Sequence, residues 1–209
     1  NHACSVLRTP AIKIVVGTGE LQEEFFVHEG ILCERSQFFE KALNGDRAES
    51  DERLVNLPED DPATFSLYQE LLYTHTLHIK KDKEFTALSK LYVLAEKLMD
   101  KRTKTVVLDS FYARVGQLSK TGDVQSAALD CVRIIYGGTR TSSSIRDLLV
   151  AFYTDYGDRS FLPEEVENVP SDFLYDISRS MLKKRPRQDH VNARLQEKED
   201  EKSEIIRVK

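Results

Sequence analysis

The stretch that most constrains the fold is FFVHEGILCERSQFFEKAL, residues 25–43, in which a strand pattern passes directly into a helix pattern. Before it, apolar residues alternate with Lys13 over residues 12–16, as they do in a half-buried strand. The intervening GTGE, residues 17–20, supplies glycines that adopt positive φ at little cost, as tight hairpin turns require. The sequence therefore predicts a β-hairpin over about residues 11–28, followed at once by a helix.

Helical spacing continues after Ile31, where large apolar residues recur three or four positions apart. Ser36 interrupts this run and predicts the cap of a second short helix, which carries Phe39 and Leu43. Residues 54–57, LVNL, then predict a short strand. Two short helices are thus expected between the hairpin and the next strand.

Two longer helices are the clearest predictions. Asp61 is placed to cap the first of them, and Pro62 suits its first turn. The run after this helix ends at Leu77 and Ile79, which predict another short strand, and a third helix follows a polar break at Asp100. The apolar stripes comprise Phe65, Tyr68, Leu71 and Leu72 in the first helix and Phe85, Leu88, Leu91, Tyr92, Ala95 and Leu98 in the second.

The remaining chain predicts only helices and loops. Helical patterns cover residues 123–138 and 141–157, and one further helix begins at Ser171. From Lys183 the chain is charged and poor in large apolar residues, which is typical of a flexible tail. We therefore expect a helical extension over about residues 121–182 and a tail over residues 183–209, the latter beginning at Lys183.

The charge distribution narrows the classes of ligand. The formal net charge of −5 combines about +3 on residues 183–209 with −8 on the rest. An acidic body repels a polyphosphate backbone, so we expect no nucleic-acid binding by this part. No apolar run approaches the roughly 18 residues that span a bilayer, so no membrane association is expected. The three cysteines are odd in number and widely spaced, which indicates buried thiols in a reducing compartment.

The order of these elements and the residues on them resemble the BTB/POZ domain over about residues 11–115. Three motifs carry the resemblance: FFVHEGILCERSQFFEKAL, VNLPEDDPATFSLYQELLYTHTL and LYVLAEKLMDKR. The last looks most like BTB proteins that are abundant in filamentous fungi. The resemblance implies an α+β fold, in which a small β-sheet is flanked by a helical cluster, here followed by the helical extension and the charged tail.

The resemblance also implies protein–protein association as the function. Family members self-associate, recruit substrates to cullin-RING ubiquitin ligases or regulate transcription. The expected partners are therefore other proteins, with a second copy of this chain or a cullin as alternatives. The region that faces cullin in the family predicts partner contacts by Tyr73, Leu77, Phe85 and Leu88.

Three departures from the family pattern bear on these alternatives. The acid that often follows the apolar residue of the cullin-binding motif is missing from FTALS, residues 85–89, which weakens the adaptor alternative. About ten residues precede the hairpin, where dimerising members often carry a helix and a strand, so a swapped dimer is not expected. Ala11 stands where family members often carry Asp. No DNA-binding pattern is visible, so a role as a transcription-associated cofactor would act through a partner.

The polar residues of the motifs predict structure rather than chemistry. His28 ends a strand and Cys33 lies within a helix, and both are expected to be structural groups. His75 and His78 are three positions apart but have no third ligand nearby, as zinc requires. We therefore expect no catalytic residue, no metal and no cofactor. The core that these polar residues surround is expected to contain Phe26, Ile31, Leu32, Phe38, Phe39 and Leu43.

The segment KKRPR, from Lys183 to Arg187, fits a short basic nuclear-import pattern. Acidic residues follow soon after, so a solvated tail explains the same run. The expected location is the cytoplasm or the nucleus.

Overall fold

The computed structural model describes residues 6–44, 53–79, 84–121, 128–157, 161 and 169–185. Its strands are β1 (Ala11–Val16), β2 (Glu23–His28) and β3 (Leu54–Leu57). Its helices are α1 (Glu29–Arg35), α2 (Gln37–Leu43), α3 (Pro62–Thr74), α4 (Glu84–Lys97), α5 (Lys101–Thr121), α6 (Ala128–Gly138), α7 (Ser144–Tyr156) and α8 (Ser171–Lys184). A small sheet with many helices is the predicted α+β architecture.

The three strands form one sheet in the order β2-β1-β3. Strands β1 and β2 are antiparallel, with Ala11 opposite His28, whereas β3 runs parallel to β1. In the connection between β1 and β2, Gly17 and Gly19 adopt positive φ of 83° and 61°. Glycine tolerates this conformation because it has no Cβ. The predicted hairpin is therefore confirmed.

One contiguous apolar core joins the sheet to the helices. Its members come from the hairpin, from the predicted stripes and from the helical extension, and they include Ile14, Phe39, Phe65, Leu91, Ile135 and Phe173. Each large apolar side chain that is buried in this way stabilises the fold by roughly 1.5–3 kcal/mol. The extension therefore contributes to the same core as the preceding part of the chain.

The corner between α1 and α2 depends on Ser36. Its hydroxyl accepts a hydrogen bond from the Phe39 backbone N–H at 3.2 Å, which caps α2 as predicted. The same hydroxyl donates to the Leu98 carbonyl at 2.6 Å, just beyond the end of α4. Ser36 thus starts one helix and ties this corner to the corner between α4 and α5.

Asp61 caps α3, as predicted, and also links it to α4. Its carboxylate accepts hydrogen bonds from the Ala63 backbone N–H at 3.3 Å and from the Thr64 hydroxyl at 2.8 Å. The Lys90 ammonium lies 3.0 Å away. Partial burial alone would raise the pKa of Asp61, but the hydrogen bonds from Lys90 and Thr64 and the charge of Lys90 outweigh it. The pKa of Asp61 is consequently lowered.

Substituting Asp61 with alanine is expected to lower the free energy of unfolding by about 1 kcal/mol, because the cap is lost. Asp61→Ser keeps a capping oxygen and removes the exposed ion pair, so it should lose less than about 1 kcal/mol. Because the folded-state pKa is lowered, stabilisation by the Asp61 charge is present above about pH 4 and is lost as the pH falls through the folded-state pKa. Urea unfolding of the three proteins at pH 7 and pH 3 measures both effects, and an alanine variant of unchanged stability at pH 7 would contradict the assigned role.

Helix α6 packs along α4 and fixes the helical extension to the preceding part of the chain. Gly138, the last residue of α6, lies directly against the Val93 side chain of α4. From α7, the buried Arg146 donates hydrogen bonds to the Tyr136 carbonyl at 2.9 Å and to the Thr139 hydroxyl at 3.0 Å. Its guanidinium therefore sits at the C-terminal end of α6, where positive charge is stabilising.

The predicted strand at Leu77 and Ile79 is wrong. Helix α3 ends at Thr74, and the next residue, His75, adopts a left-handed conformation with φ of 58°. The segment that follows pairs with no strand in the described parts of the chain. Both side chains instead pack, half-buried, against the core. An apolar pair that matches a strand pattern does not form one without a neighbouring backbone to bond.

At the C-terminus, α8 ends at Lys184 and so includes the first two residues of the predicted tail. The rest of the tail, from residue 186 onward, lies outside the described residues, as does Cys4. Among the helices that are described, none combines the length and the apolar composition that a bilayer crossing requires.

Candidate protein-binding surface

The four residues predicted to contact a partner lie at the end of α3, in the segment after it and at the start of α4. Tyr73 is 37% exposed, and Leu77 is half-buried against the core. Phe85 is half-buried as well, and its ring centroid lies 5.5 Å from that of Phe111. Leu88 is only 1% exposed, because this side of α4 faces the core. Leu88 is therefore removed from the candidate surface.

The Tyr73 ring is fixed to the end of strand β2. Its hydroxyl accepts a hydrogen bond from the His28 backbone N–H at 3.1 Å and lies 2.7 Å from His28 Nδ1. The two rings meet edge to face, with centroids 5.9 Å apart. His28 is therefore a hydrogen-bonded structural group, as predicted. It holds an aromatic ring at the surface, and a rigid, partly exposed ring is well suited to anchor a partner.

Phe26 extends this surface across the outer face of the sheet. It is 59% exposed, although it was expected in the core, which its neighbour Phe25 occupies instead. The Phe26 carbonyl accepts a hydrogen bond from Gln69 Nε2 at 3.1 Å. Side chains of α3 thus bond the outer edge of β2 at both Phe26 and His28. An edge strand with unpaired backbone groups can pair with a strand of another chain. Because side chains of α3 already bond this edge, we expect a partner to contact it through side chains rather than through the backbone.

A cleft of about 300 Å³ opens beside Tyr73, between α1, the end of α3 and the start of α5. Leu7, Ile31 and Leu72 contribute to its apolar lining, and Arg102 lies on its rim. Because four segments that are far apart in the sequence form this cleft, no local pattern predicts it.

Arg35, which also lines the cleft, forms a buried ion pair with Asp100, with 3.3 Å between Nη2 and Oδ2. The Asp100 carboxylate accepts further hydrogen bonds from the Tyr68 hydroxyl at 3.1 Å and from the Thr103 backbone N–H and hydroxyl at 2.9 and 2.8 Å. The Thr103 hydroxyl in turn accepts a bond from Arg35 at 3.0 Å. This polar network joins the end of α1 to α3 and to the first turn of α5.

With this geometry established, the chain can be compared with known proteins. Residues 9–110, which run from the start of the hairpin into α5, match the family model of the BTB/POZ domain. The chain contains a BTB/POZ domain. The assignment made from the three sequence motifs is therefore confirmed, while the filamentous-fungal subtype stays a prediction.

The BTB/POZ domain is a protein–protein interaction module, which agrees with the partner class expected from the sequence. Among solved structures, the BTB domain of zebrafish PATZ1 matches this chain with 17% sequence identity and a TM-score of 0.37. That match covers 48% of this chain and 75% of the other. No curated protein matches the chain.

Two thiols lie within the described residues, one in the BTB/POZ domain and one in the extension. Cys33 is half-buried rather than fully buried, and its burial, followed by the charges of Glu29 and Glu40, raises its pKa. Burial raises the pKa of Cys131 to about 11. Thiols with raised pKa values carry little of the nucleophilic thiolate, so both are better suited to packing than to reaction.

The two histidines that are spaced like metal ligands do not converge. His78 Nδ1 lies 2.6 Å from a carboxylate oxygen of Glu70, whereas His75 forms the left-handed end of α3. In the described ranges, no group of three or more His, Cys, Asp and Glu side chains is arranged to hold a metal ion.

Proposed function

We propose that the chain is a non-enzymatic association module whose BTB/POZ domain binds another protein through an association surface formed by Phe26, Tyr73, Leu77 and Phe85. The observation that carries this proposal is the Tyr73 ring, which is partly exposed and is held by two contacts to His28. A ring that is already ordered loses little conformational entropy on binding. Phe26, on strand β2, adds a second aromatic ring that is more exposed than that of Tyr73.

The residue types of this surface are those on which binding energy usually depends. Specific interfaces bury about 1,200–2,000 Å² in total, and a few central aromatic or aliphatic residues carry most of the energy. The half-buried Leu77 and Phe85 can contribute to such a centre, because each exposes part of an apolar side chain that is supported from beneath.

Leu77→Asp and Phe85→Asp are expected to weaken binding to the partner by at least tenfold. Each variant places a carboxylate on apolar surface that the partner would shield from water, and burying an unpaired charge is costly. Tyr175→Asp is the matched control: it changes an exposed aromatic residue on α8, away from this surface, and should leave affinity unchanged. Affinity capture with mass spectrometry identifies the partner, and calorimetry with the purified partner measures the dissociation constants. Urea unfolding of each variant provides the comparison with stability. Losses of affinity no larger than the losses of stability would show that Leu77 and Phe85 are core residues.

A second candidate function is that of a substrate adaptor for a cullin-RING ubiquitin ligase. One observation favours it: α6 packs along α4, so the extension widens the surface around the helix that starts beside Phe85. The missing acid in FTALS, residues 85–89, weighs against it. Direct titration with a purified cullin N-terminal region discriminates the two functions, and absence of binding at micromolar concentrations would eliminate the adaptor.

A further inference from the structure

Helix α8 carries apolar side chains on the side that faces away from the core. Phe173 and Ile177 are buried, so they define the side that packs against the rest of the extension. Tyr175 lies two positions from each of them, which places it on the opposite side of the helix, and Leu182 lies two turns further along that side. These two side chains are 66% and 68% exposed. Helix α8 therefore has one apolar side in the core and a second one in water.

The outer face of α8, formed by Tyr175, Ser178, Met181 and Leu182, is arranged evenly about Ser178. Tyr175 lies about one turn before this serine and Leu182 about one turn after it. A second α8 laid antiparallel across this face would bring each Tyr175 against the Leu182 of the other copy. The two serines would meet at the crossing point, where small side chains let helices approach closely. Such self-complementarity is what a two-fold axis requires.

The charges on one flank of the outer face are self-complementary as well. Asp172 and Lys183 are both exposed, and neither forms an ion pair within the described residues, whereas Asp176 and Lys184 already bond side chains of α6 and α7. Eleven positions, or about 16 Å, separate Asp172 from Lys183, so they cannot pair within one helix. In the antiparallel arrangement each lies beside the other residue of the second copy. Arg179, near the crossing point, is exposed and can extend into water.

Burial of the serine at the crossing point leaves no donor unpaired. The Ser178 hydroxyl already donates to the Leu174 carbonyl at 2.7 Å. Apolar contacts at the centre of the face and opposite charges at its ends thus complement the same face of an identical chain. An unrelated partner would have no reason to match both.

We propose that two copies of this chain associate through the outer face of α8, with the two helices antiparallel about a two-fold axis at Ser178. Tyr175 packs against Leu182 of the second copy, and Asp172 pairs with its Lys183. Each helix has 14 residues and is about 21 Å long, so the contact is smaller than the roughly 1,200 Å² of a standard interface. The dimer is therefore weak and depends on concentration. The contact exchanges no segment between copies and lies apart from the association surface, so neither proposal depends on the other.

Sedimentation velocity of the full chain, from micromolar to several hundred micromolar concentrations, is the first test. We expect the average mass to rise from that of a monomer towards that of a dimer. Tyr175→Asp should weaken dimerisation at least tenfold, because it places a charge on the buried face of both copies. Tyr112→Asp is the matched control: it changes a similarly exposed tyrosine on α5 and should alter the dissociation constant less than twofold.

A charge exchange tests the antiparallel arrangement. Asp172→Lys and Lys183→Asp each set like charges against one another in a dimer of identical copies, so each variant alone should dimerise at least threefold more weakly than the unmodified chain. Mixed together, the two variants bring every lysine against an aspartate. The mixed dimer, followed with one variant fluorescently labelled, should form at least threefold more tightly than either variant forms with itself. A folding defect cannot produce this gain, because the same two proteins are compared.

Several results would overturn the proposal. A chain that stays monomeric throughout, a dimer that Tyr175→Asp leaves intact, or a mixed dimer no tighter than those of the single variants would each exclude this contact. A monomeric chain that loses its captured partner, or its binding to phospholipid vesicles, with Tyr175→Asp would assign the outer face to that protein or to a membrane surface instead. A missing dimer leaves the proposed function standing, because that function is tested by Leu77→Asp and Phe85→Asp.

Discussion

Replacing Asp100 with alanine will lower the free energy of unfolding by about 3–5 kcal/mol, the usual cost of removing one member of a buried ion pair. The substitution leaves the Arg35 charge buried without its partner and deprives Tyr68 and Thr103 of their acceptor. Burial, together with the Asp100 charge, raises the pKa of Tyr68, so its phenol is protonated at neutral pH and donates a hydrogen bond to Asp100. Urea unfolding followed by circular dichroism measures the loss.

Two variants test whether this loss comes from the ion pair itself. Asp109→Ala removes an exposed carboxylate from α5, the helix that follows Asp100, and should change stability by less than about 0.5 kcal/mol. The double variant Arg35→Met/Asp100→Leu removes both charges and should be more stable than Asp100→Ala, because apolar residues often replace a whole buried pair at little cost. A loss below about 1 kcal/mol for Asp100→Ala, or a double variant no better than the single one, would contradict the importance of the pair.

Most elements of the BTB/POZ domain could be predicted because each is encoded within a few neighbouring residues. Alternation places Ile12 and Ile14 on the buried face of β1, and the Ser36 and Asp61 side chains cap the helices that they precede. The strand predicted at Leu77 fails because a strand, unlike a helix, needs hydrogen bonds from another segment. The sequence of such a segment shows that it is apolar, but not whether another strand lies beside it to form hydrogen bonds.

The association surface was only partly predictable, because strand alternation gives two faces without saying which of them is buried. Phe25 and Phe26 are adjacent, so a register one residue different exchanges the buried ring for the exposed one. On α4 two predictions for Leu88 conflict: the apolar stripe predicts that it is buried, whereas the resemblance predicts that it contacts a partner. The structure shows it buried. Tyr73 could be predicted as an exposed contact residue because it lies outside the apolar stripe of α3. Its hydrogen bond to His28 could not be predicted, because the two residues are far apart in the sequence.

The ion pair and the cleft could not be predicted because they depend on contacts between distant segments. The sequence nevertheless contains a signal: Arg35 and Asp100 are charged residues inside two of the motifs that identify the domain. Each follows a core leucine, Leu32 or Leu98, within three positions. A charge in such a position is buried only when an opposite charge meets it. Pairing the two charged positions would have suggested the network, although not its geometry.

Substituting Gly138 with alanine is expected to lower the free energy of unfolding by about 1–3 kcal/mol, the usual cost of overpacking. A Cβ at this position would lie 2.7 Å from Val93 Cγ2 and 3.1 Å from Val93 Cβ, so α6 would have to move away from α4. Gly137→Ala is the control, because its Cβ would meet nothing within 4 Å. It should change the free energy of unfolding by less than about 1 kcal/mol, in the stabilising direction, since alanine has the higher helix propensity.

Because α4 belongs to the BTB/POZ domain and α6 to the extension, Gly138→Ala should shift one cooperative transition of the whole chain. Equal stability of the two variants, or a shift confined to part of the unfolding signal, would show that the extension does not share the core.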